Sequence, residues 1–231
     1  MNENTFLQVV DKACELPMVK IDRKAFLRKQ FSSARYYDCI DDILVSGPVC
    51  ANVSKQEIKK IAKNCIAYES TKVTALSFVA GVPGGFAMAG TIPADLAQYY
   101  AHIFRIMQKL MYLYGWDDIG NMDEGTKNVL IIFLGVMSGV QGVSSVASKL
   151  CQSASTRAVK SIAAKALTKG TLYPIVKKIS TTLGVKMTKE IFAKGTAKII
   201  PMAGGFISSG LTLATFTPMA NKLLKLMDSS I

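Results

Sequence analysis

Three stretches of this chain carry no charged residue: 73–94, 128–148 and 199–221, with 22, 21 and 23 residues. Segments of that length must be covered by protein or by lipid. A helix needs about 20 predominantly apolar residues to cross a bilayer, so length alone permits three crossings. Their composition favours a different use. The first stretch holds Gly81, Gly84, Gly85 and Gly90 with Pro83 and Pro93. The third holds Gly204, Gly205 and Gly210 among Ser208, Ser209, Thr212, Thr215 and Thr217. Small residues let helices approach closely, and they also dilute the drive for insertion. The expectation is close-packed, Gly-rich apolar helical hairpins, buried in protein or dipping into a bilayer. Gly84, Gly85, Gly139, Gly204 and Gly205 are the candidates for close contacts or turns, and Gly135-x-x-x-Gly139 in the middle stretch reads as a close-contact site. Gly-Gly-Phe-x-x-x-Gly occurs at 84–90 and again at 204–210. It fits either chance in Gly-rich sequence or two related hairpins.

The patterned segments between these stretches have the helical period. Ser54 and Glu57 form a capping box. Ile58, Ile61, Ala62, Cys65 and Ile66 follow as one apolar stripe. Asp22 can cap a helix through Phe26 and Leu27, and Asp123 one that runs past Val129. Pro93 suits a first helical position and Gly115 a helix end, which predicts a helix from Ala94 to about Tyr114. No hairpin dipeptide of the Asn-Gly or Asp-Gly type sits between alternating apolar runs. The predicted class is all-α, with an N-terminal helical segment at 1–50 leading into a helical unit at 51–231, in effect one continuous domain.

Charge divides the chain in two. Residues 1–124 hold 14 basic and 14 acidic side chains. Residues 125–231 hold 14 basic side chains against Glu190 and Asp228, so the net charge of +12 lies entirely there. It is densest over 149–198, where 11 basic residues face one acid. A one-sided basic block implies an anionic partner, either lipid headgroups or nucleic acid. Only Tyr173 and Phe192 are aromatic within it, too few to stack on single-stranded bases. Its cations alternate with Ala, Val, Ile and Leu, which suits an amphipathic helix on an anionic bilayer. Arg157, Lys160, Lys165, Lys169, Lys177 and Lys178 are the candidate anion-binding residues. A purely solubilising surface is the bland alternative.

Chemistry-bearing motifs are sparse. With a single histidine, the chain cannot build a multi-histidine metal site. The acids after Trp116 are not in EF-hand order, and no Walker or dinucleotide fingerprint is present. No metal, cofactor or catalytic residue is expected. Cys14, Cys39, Cys50, Cys65 and Cys151 include no C-x-x-C, and the N-terminal residues show no signal-peptide pattern; free thiols are expected. Asp95, Gln98, His102, Arg105 and Lys109 form one polar row on the predicted helix. The row reads either as the lining of a cleft with His102 as proton carrier, or as the solvated face of an amphipathic helix.

Several blocks resemble the EcsC family: Gly-Val-Pro-Gly-Gly-Phe (81–86), Ile-Pro-Ala-Asp-Leu-Ala-Gln-Tyr-Tyr-Ala-His (92–102) and Gln-Lys-Leu-Met-Tyr-Leu-Tyr-Gly-Trp (108–116). Later blocks agree, among them Lys-Ile-Ile-Pro-Met-Ala-Gly-Gly (198–205) and Thr-Phe-Thr-Pro-Met-Ala (215–220). The likeness covers roughly residues 50–225. It implies a bacterial source and membrane association, and it assigns no catalytic residue. The combined expectation is a non-enzymatic protein at the cytoplasmic face of the membrane, docked on anionic lipid. Support of a membrane transporter and self-association in the bilayer both remain open. The rivals are an enzyme on a lipid or membrane substrate using His102 and nearby aspartates, and a nucleic-acid binder.

Overall fold

A computed structural model describes residues 3–81, 94–119, 122–152, 174, 176–182 and 201–230, with side chains reaching residue 74 in the fourth helix and resuming at 97 and 214. The described residues are helical, with no strand among them. In chain order the helices are α1 (Glu3–Glu15), α2 (Arg23–Gln30), a 3₁₀ turn (Ala34–Cys39), α3 (Ile40–Ser46), α4 (Lys55–Gly81), α5 (Ala94–Leu113), α6 (Glu124–Ser138), α7 (Ser144–Cys151) and α8 (Pro201–Asp228). A helical stretch at 176–182 precedes α8.

Local chemistry sets the boundaries. The Asp22 carboxylate accepts from the Ala25 amide at 2.8 Å and starts α2. Asp123 does the same for α6 through the Thr126 amide, also at 2.8 Å. Half of the Ser54/Glu57 box is formed, with the Glu57 amide donating to Ser54 Oγ at 3.3 Å. α5 ends in the 6→1 bond from the Trp116 amide to the Met111 carbonyl, with Gly115 at φ +87°. Gly115 also meets Gly47 backbone to backbone. A Cβ on Gly47 would lie 2.9 Å from Gly115 Cα.

α5 is the axis of the molecule. Residues 100–104 and 106–113 are all buried, on every side of the helix. α1 covers one side, with Phe6 edge-on to Tyr100 at 6.5 Å. α4 and α8 form a long antiparallel pair against another side. Their polarity follows from two contacts: Lys59 Nζ with Asp228 at 2.6 Å, and Ser70 with Thr217 at 2.9 Å. The turns after α1 and α3 are tied down by buried side chains. Gln108 donates to the Val19 carbonyl and accepts from the Ile21 amide. Arg23 donates to the carbonyls of Trp116 and Leu44.

The uncharged middle stretch becomes a short helical hairpin, not one long helix. α6 is buried continuously from Val129 to Ser138. It stops at Gly139, which is left-handed at φ +76°, and α7 begins five residues later. Gly139 therefore acts as a helix end. Close packing falls to Gly135, where a Cβ would meet Ile179 and Val143 at 3.1 Å. Gly84 and Gly85 lie outside the described residues. So do the surroundings of Gly204 and Gly205, which fall within α8. Among the described residues no helix is long and apolar enough to cross a membrane.

Candidate functional site

The apolar stripe that begins at Ile58 on α4 continues one turn beyond Cys65 and Ile66 to position 69. That position is a glutamate, and its exposure is 0%. An unpaired buried carboxylate is prohibitively costly, and α5 supplies the partners. His102 Nδ1 lies 2.9 Å from Glu69 Oε2, Lys109 Nζ lies 2.6 Å from Oε1, and Arg105 Nε lies 3.5 Å from Oε1. His102 and Lys109 are 3% and 7% exposed. The positions 102, 105 and 109 share a face because they lie three and seven residues apart on a 3.6-residue helix. Arg105 also donates to the Met18 carbonyl, so it holds the turn after α1 as well.

Electrostatics fixes the state of the carboxylate. Burial on its own raises the Glu69 pKa. Hydrogen bonds from His102 and Lys109, with the charges of Lys109 and Arg105, outweigh it and hold the group at about 2. Glu69 is therefore an anion at neutral pH. The Lys109 ammonium sits beside two aromatic faces, 5.3 Å from the Tyr68 ring and 5.8 Å from Phe26. Cys65, one turn before Glu69, is pushed up to about 11 by burial, so it is a packed thiol and not a nucleophile.

Two further contacts extend this layer across the helix junction. The Ser70 and Thr217 hydroxyls bond at 2.9 Å, linking α4 to α8. The Tyr99 hydroxyl meets Thr215 at 3.3 Å, linking α5 to α8. His102 Nε2, and Thr74 Oγ1 farther along α4, are buried without a hydrogen-bond partner among the described residues. Such orphans cost about 1–3 kcal/mol each.

The row on α5 is thus not a solvated face. A helix enclosed on all sides must pair its polar groups internally, and His102 and Lys109 do so. Gln98 is half-buried on the same helix, and the Asp95 side chain lies outside the described set. The structure brings His102 and Arg105 together with Lys109, and it adds Glu69, which sequence reasoning missed. The signal was there: an acid in register with an apolar stripe. Among the described residues no group of histidine, cysteine or carboxylate side chains could hold a metal ion.

Of the basic candidates, Lys177 and Lys178 are described. Both are exposed on the 176–182 stretch, whose Val176, Ile179 and Ser180 are buried. Arg157, Lys160, Lys165 and Lys169 lie outside the described residues. Comparison with known proteins yields no relative: no family model matches the chain, and no curated protein or solved structure matches it significantly.

Proposed function

We propose that this protein is a membrane-associated, non-enzymatic protein of the EcsC type, recruited to anionic bilayers at the cytoplasmic face through its basic second half. One observation carries the reading: the whole net charge of +12 lies in residues 125–231, and residues 1–124 are balanced. The exposed Lys177 and Lys178, above a buried Val176 and Ile179, agree with a basic outer face on an apolar footing. Each cation near an anionic surface is worth on the order of 1 kcal/mol before screening. Only part of the block can face the bilayer at once, so a few kcal/mol of attraction is expected.

Vesicle flotation tests the proposal. Purified protein should rise with vesicles of phosphatidylserine and phosphatidylcholine and stay behind with phosphatidylcholine alone. Alanine at Lys160, Lys165, Lys169, Lys177 and Lys178 together should weaken capture. If the attraction is purely peripheral, 1 M salt releases the protein, since the Debye length there is about 3 Å. If the uncharged stretches also insert, it stays bound. Equal binding to neutral and anionic vesicles, or none to either, overturns the proposal.

A further inference from the structure

Net charge conceals how the first half of the chain is arranged. Residues 1–124 are balanced, yet α2 and the stretch 55–72 of α4 together hold nine basic side chains against Glu57 and Glu69. Glu57 is paired with Arg35 at 2.9 Å, and Glu69 is buried in its own layer. Arg23 is buried, and Lys59 is paired with Asp228 at 2.6 Å. Lys24, Arg28, Lys29, Lys60, Lys63 and Lys72 are exposed, and none has a carboxylate partner among the described residues. Acids that balance the half lie on other elements, among them Asp38, Asp41 and Asp42 on the 3₁₀ turn and α3, and four more between 117 and 124.

α2 and α4 lie side by side. Cys65 Sγ of α4 donates to Gln30 Oε1 of α2 at 3.8 Å, and the Lys109 ammonium rests between the Phe26 and Tyr68 rings. At the seam stands Tyr68, 53% exposed. Lys72 Nζ lies 4.8 Å from its ring centre. A hydrogen bond from Lys72, with the charges of Lys72, Lys29 and Lys109, lowers the phenol pKa against a smaller opposing effect of burial. Every charge that acts on this ring is thus positive. The exposed α4 residues beside it, Asn64, Ala67 and Thr71, are short, so a broad surface can approach the cations. Exposed cations around an amphipathic ring suit the headgroup level of a bilayer, where tyrosine is enriched and anionic lipid attracts each cation. Nucleic acid fits less well: a base would need a free ring face, and Lys72 and Lys109 already lie over Tyr68. We infer that the α2–α4 face is a second docking surface for an anionic bilayer, with Tyr68 at headgroup level between Lys29 and Lys72. The inference rests on the membrane reading for the identity of its partner, and it adds a surface in the half whose net charge is zero.

Lysine acetylation of the full chain, read by mass spectrometry with and without vesicles of phosphatidylserine and phosphatidylcholine, tests it. Bound vesicles should protect Lys29, Lys60 and Lys72 and leave Lys12, exposed on α1, as reactive as in free protein. Lys29→Glu with Lys72→Glu should weaken capture in flotation by roughly tenfold. Both side chains are exposed, so a thermal melt should show the variant folded. Protection of Lys177 and Lys178 without Lys29, Lys60 and Lys72 overturns the inference and leaves the basic-half reading standing. Protection of the α2–α4 lysines alone supports it and removes the basic half from the contact. Equal protection of Lys12 overturns it by showing no preferred face. Protection of the α2–α4 lysines by a DNA duplex but not by vesicles also overturns it, assigning the face to nucleic acid. Absence of binding to every anionic vesicle removes both readings together.

Discussion

α5 and α6 are both deeply buried helices, yet they reach burial in opposite ways. From Asn128 onward α6 has no charged residue, and Val129 to Ser138 are all covered. α5 is buried over 100–104 and 106–113 but carries His102, Gln108 and Lys109 there, with a partly buried Arg105 between them. α6 excludes water by composition. α5 does so by pairing, with Glu69 from α4 and the backbone after α1 as its partners. Burial in this molecule is therefore a matter of what surrounds a helix, and apolarity is only one way to meet it.

The comparison can be broken first at Glu69. Glu69→Ala leaves Lys109 and the His102 Nδ1 group buried without their acceptor, and removal of one partner from a buried ion pair costs about 3–5 kcal/mol. Ile132→Ala in α6 should cost about 2–5 kcal/mol by leaving a cavity. Denaturant melts check both. Substituting Leu at Glu69 together with Met at Lys109 should recover much of the first loss, since apolar replacements of buried pairs are often neutral; no recovery would show that the layer needs its charges to hold the fold.

pH sharpens the difference between the two helices. Glu69 is lowered from 4.5 to about 2 in the folded protein. A carboxylate lowered on folding stabilises the native state above its unfolded pKa, and that contribution is lost as pH falls through the folded value. Wild type should therefore lose stability between about pH 4.5 and pH 2 through this group, and Glu69→Gln should lack that part of the slope. Ile132→Ala should keep the wild-type slope. Parallel curves for wild type and Glu69→Gln would show that the carboxylate gains nothing from its cations.

The smallest expected effect lies at the end of α6. Gly139→Ala forces a side chain into left-handed backbone, at about 1–2 kcal/mol. The added Cβ also meets Lys222 Nζ at 2.9 Å, though that flexible ammonium can swing aside. Thermal melting reads the loss, and an unchanged midpoint would show that the helix end relaxes.

Sequence patterns carried the helical class, the caps at Asp22 and Asp123 and the end of α5 at Gly115, because each depends on neighbours within one turn. The polar row on α5 was also legible as a row. Its environment was not, since whether a stripe meets water or a carboxylate depends on a helix 33–40 residues away. Gly135 was legible as a close-contact position, but not its partner, since Ile179 comes from a distant segment. Gly47 and Gly115 gave no sequence sign of their mutual approach, which is a product of the assembled turns.

The pairing of α4 with α8 has a consequence for synthesis. Ser70 meets Thr217 and Lys59 meets Asp228 across separations of 147 and 169 residues. Glu69 finds its α5 partners within 40 residues of emerging. The flank of α4 that α8 will cover waits much longer. At roughly 5–20 residues per second, a ribosome needs roughly 7–30 s to deliver that cover. During that interval the nascent chain presents a settled α4–α5 charge cluster beside an open apolar flank, a surface that chaperones or a nearby bilayer can occupy before α8 arrives.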